Sequence, residues 1–294
     1  MSSPPPLSLK AAGYVDVDTG EIIRPGVIHV ADGHIVGIGG ETPSGSTEID
    51  LGDSILLPGL MDMEVNLLMG GRGENPGLSQ VQDDPATRVL RAVGNARRTL
   101  RAGFTTVRNL GLFVKTGGYL LDVALGKAIA AGWIDGPRVI PAGHAITPTG
   151  GHLDPTMFAA FMPGVLELTI EEGIANGVDE IRKAVRYQIK HGAELIKVCC
   201  SGGVMSLTGE AGAQHYSDEE LRVIVDEAHR MGAHYFGNQL EKTKRFQLGE
   251  MTGGKTSITL FDKDKKPVAS GVISQMYISL SEAFAKGLAD QGAK

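Results

Sequence analysis

The feature that most constrains the fold of this chain is residues 57–66, which read LPGLMDMEVN. A Pro-Gly turn precedes a largely apolar run, which indicates a buried strand that emerges from a turn. Two polar residues, Glu64 and Asn66, lie two positions apart on this strand. Because side chains alternate along a strand, both point to the same side. The sequence therefore predicts a strand that presents a carboxylate and an amide on one face.

The composition suits a soluble globular protein, since 42% of the 294 residues are hydrophobic and 21% are charged. The net charge is −6 and Lys and Arg do not cluster, which argues against nucleic-acid binding. No apolar run reaches the ~18 residues of a membrane span, and residues 1–6 lack the layout of a signal peptide. The two cysteines, Cys199 and Cys200, are adjacent, which excludes a disulfide framework and favours a reducing, cytoplasmic location.

Two hydrophobic patterns predict two domains, residues 1–56 and residues 57–294. In the first domain apolar and polar positions alternate, and Asp32-Gly33 between two such runs predicts a β-hairpin. In the second domain short apolar strands alternate with longer amphipathic segments, which predicts βα units and a parallel sheet. The predicted helices are 84–102, 120–131, 178–191 and 217–231. The further predicted strands are 105–108, 138–142, 195–198, 233–236, 257–260 and 271–277. About seven strands in all favour a (β/α)8 barrel.

Short motifs follow one another along the second domain: GFTTVR at 103–108, GPR at 136–138, TGGH at 149–152, IK at 196–197 and SGG at 201–203. In this order and spacing, together with residues 57–66, they resemble the metal-dependent amidohydrolases of the prolidase-like and imidazolonepropionase-like branch. The resemblance covers roughly residues 20–235 and is faint past residue 240. It implies an α/β fold of the (β/α)8 TIM-barrel type, open or incomplete at a truncated C-terminus. It also implies a small, incomplete N-terminal β-sandwich over residues 1–56.

The resemblance implies a metal site whose ligands are replaced in this chain. Members carry PG(L/I)-D-x-H-x-H on the first barrel strand, and both histidines hold a divalent metal. Glu64 and Asn66 occupy those two positions, while Lys197 falls where the fourth-strand lysine is expected. The positions of the fifth- and sixth-strand histidines fall near Asn238 and residues 259–260, and no eighth-strand aspartate is evident. Zinc needs imidazole, thiolate or carboxylate ligands, so we expect no metal and no other cofactor unless zinc is held by an unforeseen ligand set.

Three residues are the candidate catalytic groups. Glu64 is either a general base or the ion-pair partner of Lys197 in an empty site. Lys197 follows an apolar strand segment, and an amine in an apolar pocket can act as a base or a Schiff-base nucleophile. His152 lies in a Gly-rich loop that borders the active site in the family, so it either contacts substrate or braces the loop.

The candidate substrate-binding residues come from the same strands and loops, and for most of them a structural role is the alternative. Cys199 shares the strand face of Lys197, but a nucleophilic cysteine needs a nearby base and none is identified. The full set is Asn66, Asp154, His144, Cys199, His215 and Asn238.

Three functions remain open from the sequence. The first is a metal-independent enzyme that performs lyase, isomerase or cyclase chemistry on a small organic substrate. The second is a metal-dependent hydrolase of amide or peptide C–N bonds, and the third is a non-catalytic pseudoenzyme or binding protein. Because a seven-stranded sheet leaves two open edges, we expect residues 262–294 or another subunit of a homo-oligomer to cover the gap. The expected partner is a small-molecule substrate, without nucleic acid or membrane.

Overall fold

The computed structural model describes residues 5–70, 75–155, 162–203, 206, 210–237, 256–261 and 267–273. The fold is mixed α/β, and the chain packs as two compact units, Met1–Gly59 and Leu60–Lys294. Within the described ranges, none of the helices combines the length and the apolar composition that a bilayer crossing requires.

The first unit contains two small sheets. Its strands are β1 Leu7–Ala11, β2 Gly13–Val15, β3 Ile22–Ile23, β4 Gly26–Ala31, β5 His34–Ile38, β6 Thr47–Asp50 and β7 Ile55–Leu56. Their order is β5-β4-β1-β6 in one sheet and β3-β2-β7 in the other. The predicted hairpin is confirmed, because β4 and β5 pair antiparallel around Asp32 and Gly33, whose φ angles are 49° and 76°. A buried hydrogen bond of 2.6 Å between Ser8 and Nδ1 of His29 joins β1 to β4.

The second unit is built on parallel strands in sequence order. A three-stranded sheet has the order β10-β9-β8, with β8 Leu60–Val65, β9 Phe104–Asn109 and β10 Arg138–Pro141. A second parallel pair joins β11 Leu195–Val198 to β12 His234–Gly237. The chain after β10 bridges the two, since Ile146 donates to the Lys197 carbonyl at 2.8 Å and accepts from the Cys199 amide at 2.9 Å. The described residues thus contain five strands of the expected barrel, and these do not close on themselves.

Five helices accompany these strands, and all but the first lie where the sequence pattern predicts them. They are α1 Pro76–Gln82, α2 Pro85–Arg101, α3 Leu121–Ala130, α4 Gly177–Lys190 and α5 Asp218–Arg230, with a short 3-10 helix at Ile170–Glu172. One core cluster includes Ala92 of α2, Val107 of β9 and Leu125 of α3. Another includes Ile196 of β11 and Ile181 of α4. Helices α2 to α5 therefore each bury apolar residues against the sheet, which fixes where the strand ends and their loops lie.

The prediction of two further barrel strands at 257–260 and 271–277 is wrong. Strands β13 Thr256–Phe261 and β14 Pro267–Ile273 pair with each other in antiparallel register. A parallel pair needs a crossover of a dozen or more residues, and the short connection between these two strands suits only a hairpin. The proposed cover of the open edges by residues 262–294 lies largely outside the described residues.

Candidate active site

The candidate site lies at the carboxyl ends of the parallel strands, where the loops that follow β10 and β11 meet. Lys197 of β11 is only 4% exposed. Its stem passes Gly111, where an added Cβ would lie 3.1 Å from Cγ of Lys197 and 2.8 Å from Cβ of Ala145. Gly111 also has a φ of +81°, which only glycine adopts readily. Glycine at this position therefore makes room for the buried lysine.

His152 connects the two loops. Its backbone amide donates to Nδ1 of His215 at 3.3 Å, and its own Nδ1 lies 3.2 Å from Oγ of Ser206. The ring packs so closely on Gly203 that an added Cβ there would overlap it. The structure thus brings His152 and His215 together with Ser206, a residue that the sequence analysis did not identify.

Both imidazoles of this pair are neutral near pH 7. Burial, followed by the charges of Lys197 and His215, lowers the pKa of His152 to about 4. Burial also lowers the pKa of His215. A neutral imidazole can accept a proton, so the site combines the His152 ring as proton acceptor with one buried cation whose charge reaches it.

The loop around His152 has a fixed backbone. Leu153 adopts a left-handed conformation with a φ of 71°, which is uncommon for a residue other than glycine. The buried carboxylate of Asp154 accepts the Gly150 amide at 2.8 Å, and the Asp154 amide donates to the Gly151 carbonyl at 3.0 Å. Through these bonds Asp154 braces the loop, and they hold His152 at the tip of the turn.

Glu64 lies near the end of β8, and Asn66 directly follows the strand. Glu64 is exposed and Asn66 is half-buried. Burial lowers the pKa of Arg108 on β9, and the negative charge of Glu64 opposes that shift. Glu64 therefore lies near Arg108. Among the described residues, the ion pairs do not include one between Glu64 and Lys197.

His144 and Cys199 are enclosed by the core. His144 is fully buried, its Nε2 lies 2.9 Å from Oγ1 of Thr116, and its amide donates to the Gln188 side chain at 2.8 Å. Burial lowers the pKa of His144 to about 4 and raises the pKa of the Cys199 thiol to about 12. These contacts support a structural role for His144, and full burial supports one for the Cys199 thiol. Asn238 lies outside the described residues, and substrate binding by this set stays a prediction.

The donor set does not fit the metal site that the resemblance implies. The strand expected to supply two imidazoles supplies Glu64 and Asn66. Within the part of the chain that the structure describes, no three His, Cys, Asp or Glu side chains converge as a metal site would require. The described site is instead a buried amine whose charge reaches His152, with His215 bonded to the His152 amide.

Comparison with known proteins identifies the family. The model described as "Amidohydrolase family" matches residues 55–237, which is more than half of the chain. The chain belongs to the amidohydrolase family. A second model, described as "Outer membrane protein assembly factor BamC-like C-terminal domain", matches residues 234–284. The amidohydrolase match thus ends at β12, and the β13–β14 hairpin lies within the second match.

Several proteins resemble this chain in sequence or in structure. The chain is 34% identical over 249 residues to an ochratoxinase from Aspergillus niger, covering 77% of this chain and 49% of that protein. A Xaa-Pro dipeptidase structure with bound methionine has a TM-score of 0.69 and 27% identity over 79% of this chain and 56% of that one. A prolidase complexed with N-methylphosphonate-L-proline has a TM-score of 0.66 and 29% identity over 79% and 55%. The chain spans about half the length of the curated relatives it matches.

Proposed function

We propose that this chain hydrolyses an amide C–N bond in a small dipeptide or N-acyl amino acid. Membership of the amidohydrolase family and the likeness to an ochratoxinase, a Xaa-Pro dipeptidase and a prolidase support hydrolysis over lyase, isomerase or cyclase chemistry. The observation that carries the proposal is the buried Lys197 beside the neutral His152, at the strand ends where barrel enzymes place their sites.

The residues of this chain supply two complementary functions for the reaction. The Lys197 ammonium is nearly dry, so its attraction for negative charge is much stronger than it would be in water. It stabilises the oxyanion that forms when water attacks the carbonyl carbon. A carboxylate on the amino-acid half of the substrate is attracted by the same cation, which favours a small acidic substrate over a neutral amide.

His152 handles the proton. The neutral ring accepts a proton from water as the new C–O bond forms, and returns it to the amide nitrogen as the C–N bond breaks. The products are a carboxylic acid and a free amine. Positioning by Ser206 and the Gly203 backbone keeps the ring in one orientation while the proton moves. No step is assigned to a metal, because the described donor set does not fit one.

A non-catalytic binding protein is the second candidate. Glu64 and Asn66 stand where the family resemblance implies imidazole ligands, and this substitution favours a site that binds without turnover. The pocket chemistry is the same in both cases, so ligand binding alone does not separate the two functions. Turnover does.

The test is release of free amine from Xaa-Pro dipeptides and N-acyl amino acids, measured with and without a chelator. Lys197→Met is compared with wild type and with Lys183→Met, which removes an exposed lysine from α4. We expect kcat/KM to fall by about 10²-fold in Lys197→Met, because one electrostatic contact to the oxyanion is lost, and to stay unchanged in Lys183→Met.

The chelator and binding measurements separate the alternatives. Turnover that survives the chelator supports hydrolysis by the residues named above, and turnover abolished by it overturns their metal-independent action. Substrate binding without amine release identifies a binding protein. Equal activity in Lys197→Met and wild type excludes the role assigned to Lys197.

A further inference from the structure

A buried carboxylate outside the Lys197–His152 pair ties strand ends together. Asp122, in the first turn of α3, is 0% exposed. Its Oδ2 accepts hydrogen bonds from the backbone amides of Ala142 at 3.1 Å and Gly143 at 3.0 Å, just past β10. Its Oδ1 accepts the Val123 amide at 2.9 Å. One side chain therefore fixes the point at which the chain leaves β10.

Asn109 extends this connection to two more strands. Its Nδ2 donates to Oδ2 of Asp122 at 3.3 Å, and its Oδ1 accepts the Leu67 amide at 2.9 Å. Asn109 is the last residue of β9 and Leu67 follows β8. Through two side chains, the carboxyl ends of β8, β9 and β10 are held in one arrangement.

Each linked position lies on a segment that carries or leads to a candidate residue. Leu67 follows Asn66, Asn109 is two residues before the Gly111 that packs on Lys197, and Gly143 begins the segment that leads to His152. A carboxylate is an expensive way to fill this space, since an apolar side chain of similar size avoids the desolvation cost. The polar pair therefore accepts directed hydrogen bonds from four backbone amides, which an apolar residue cannot do.

We propose that Asp122 and Asn109 act as a positioning pair, which sets the strand-end loops of β8, β9 and β10 for the reaction at Lys197 and His152. This inference rests on the proposed hydrolysis. Neither side chain touches substrate. Their effect is on the placement of catalytic groups, where an error of about 1 Å costs on the order of 10²-fold in rate.

The test compares Asp122→Ala and Asn109→Ala with Asp122→Asn. In Asp122→Asn the amide oxygen can occupy the place of Oδ2 and accept the same bonds from Ala142, Gly143 and Asn109. We expect kcat to fall at least 10-fold in both alanine variants with KM within about 3-fold of wild type, and Asp122→Asn to keep most of the activity.

The control is Glu227→Ala, which removes a buried carboxylate of α5 that pairs with arginines at the helix surface. It lowers stability without reaching the strand ends, so kcat stays at the wild-type value. If the alanine variants lose stability as this control does but keep kcat, the positioning role is overturned. If Asp122→Ala does not fold, Asn109→Ala decides, since it cuts only the bonds to Leu67 and Asp122.

Hydrogen exchange separates failure of this inference from failure of the proposed function. The amide of Leu67 exchanges faster in Asn109→Ala, and those of Ala142 and Gly143 exchange faster in Asp122→Ala. The Cys199 amide, bonded to Ile146, keeps its protection. If the wild-type protein has no amidase activity, the proposed function is wrong. Hydrogen exchange alone then tests whether Asp122 and Asn109 connect the strand ends. Unchanged exchange at Leu67, Ala142 and Gly143 overturns the link itself.

Discussion

The backbone amide of Leu67 donates a 2.9 Å hydrogen bond to Oδ1 of Asn109, which joins the end of β8 to the end of β9. This bond is one of several side-chain contacts that replace sheet pairing where the parallel strands end and the site loops begin. The loops of the candidate site also depend on the hydrogen bond that Asp154 accepts and on the space left by Gly111 and Gly203. Variants at these positions are expected to change activity more than stability.

Gly111→Ala tests the space that holds Lys197. An alanine at a φ of +81° costs about 1–2 kcal/mol of folding stability, and its Cβ also meets Ala145 and the Lys197 stem. The matched control is Gly132→Ala, because Gly132 has a φ of +71° and no atoms within 4 Å of an added Cβ. We expect both variants to lose stability and only Gly111→Ala to lose kcat/KM, by at least 10-fold. Equal kcat/KM in the two variants would remove Gly111 from the site.

Gly203→Ala tests the packing of the His152 ring against Gly203. The added Cβ overlaps the ring, so His152 must turn away from Ser206. Gly212→Ala is the control, since an added Cβ there meets nothing within 4 Å. We predict a drop in kcat of at least 10-fold in Gly203→Ala, while the thermal midpoints of the two variants differ little. A Gly203→Ala enzyme with wild-type kcat would show that the ring position is irrelevant to turnover.

His144 makes the fold sensitive to acid. Burial lowers its pKa to about 4, below the 6.5 of an exposed histidine, so the folded state binds its proton more weakly than the unfolded state. Its contribution is complete above pH 6.5 and is lost as pH falls toward 4, by about 3 kcal/mol in all. Asp122 changes folding stability with pH in the opposite direction, because burial raises its pKa to about 6. Its contribution is present below pH 3.8 and is lost as pH rises through 6.

Because of that opposing slope, the measurement is the difference between His144→Gln and wild type. Denaturant unfolding at pH 7, 5.5 and 4.5 should show wild type losing more stability than the variant as the pH falls. Parallel pH dependence in the two proteins would mean that His144 does not titrate across this range.

The two adjacent cysteines should react differently. Burial raises the pKa of Cys199 to about 12, and Cys200 is only half-buried with a pKa that burial also raises. In native protein at pH 8, we expect a thiol reagent to modify Cys200 slowly and to leave Cys199 unmodified. The Cys200→Ser variant should then show no labelling. Rapid labelling of Cys199, measured in the same variant, would contradict its enclosure by the core.

Local sequence patterns predict much of this fold. The hairpin at Asp32-Gly33, the five parallel strands and four of the helices follow from turn residues and from hydrophobic periodicity. The antiparallel pairing of β13 and β14 was missed because an apolar run does not reveal its partner. The spacing of the two runs, too short for a crossover helix, was the available signal.

The candidate site was less predictable because its contacts join distant parts of the chain. The His144 amide bonds to Gln188, 44 residues away, and this partner assigns His144 to the core. His152 and His215 are 63 residues apart, and only the fold shows that they meet. Asp122 had a local signal, a carboxylate in the first turn of a largely apolar helix, but its partners Asn109, Ala142 and Gly143 lie on or just past other strands.

Hydrolysis at the Lys197–His152 site is tested most directly by running the reaction in water enriched in oxygen-18, with wild type and Lys197→Met side by side. Mass spectrometry of the released acid should show one heavy oxygen incorporated per turnover by wild type, with about 10²-fold less labelled product from the variant. A product without the label, or the same labelled yield from both proteins, would contradict hydrolysis at this site.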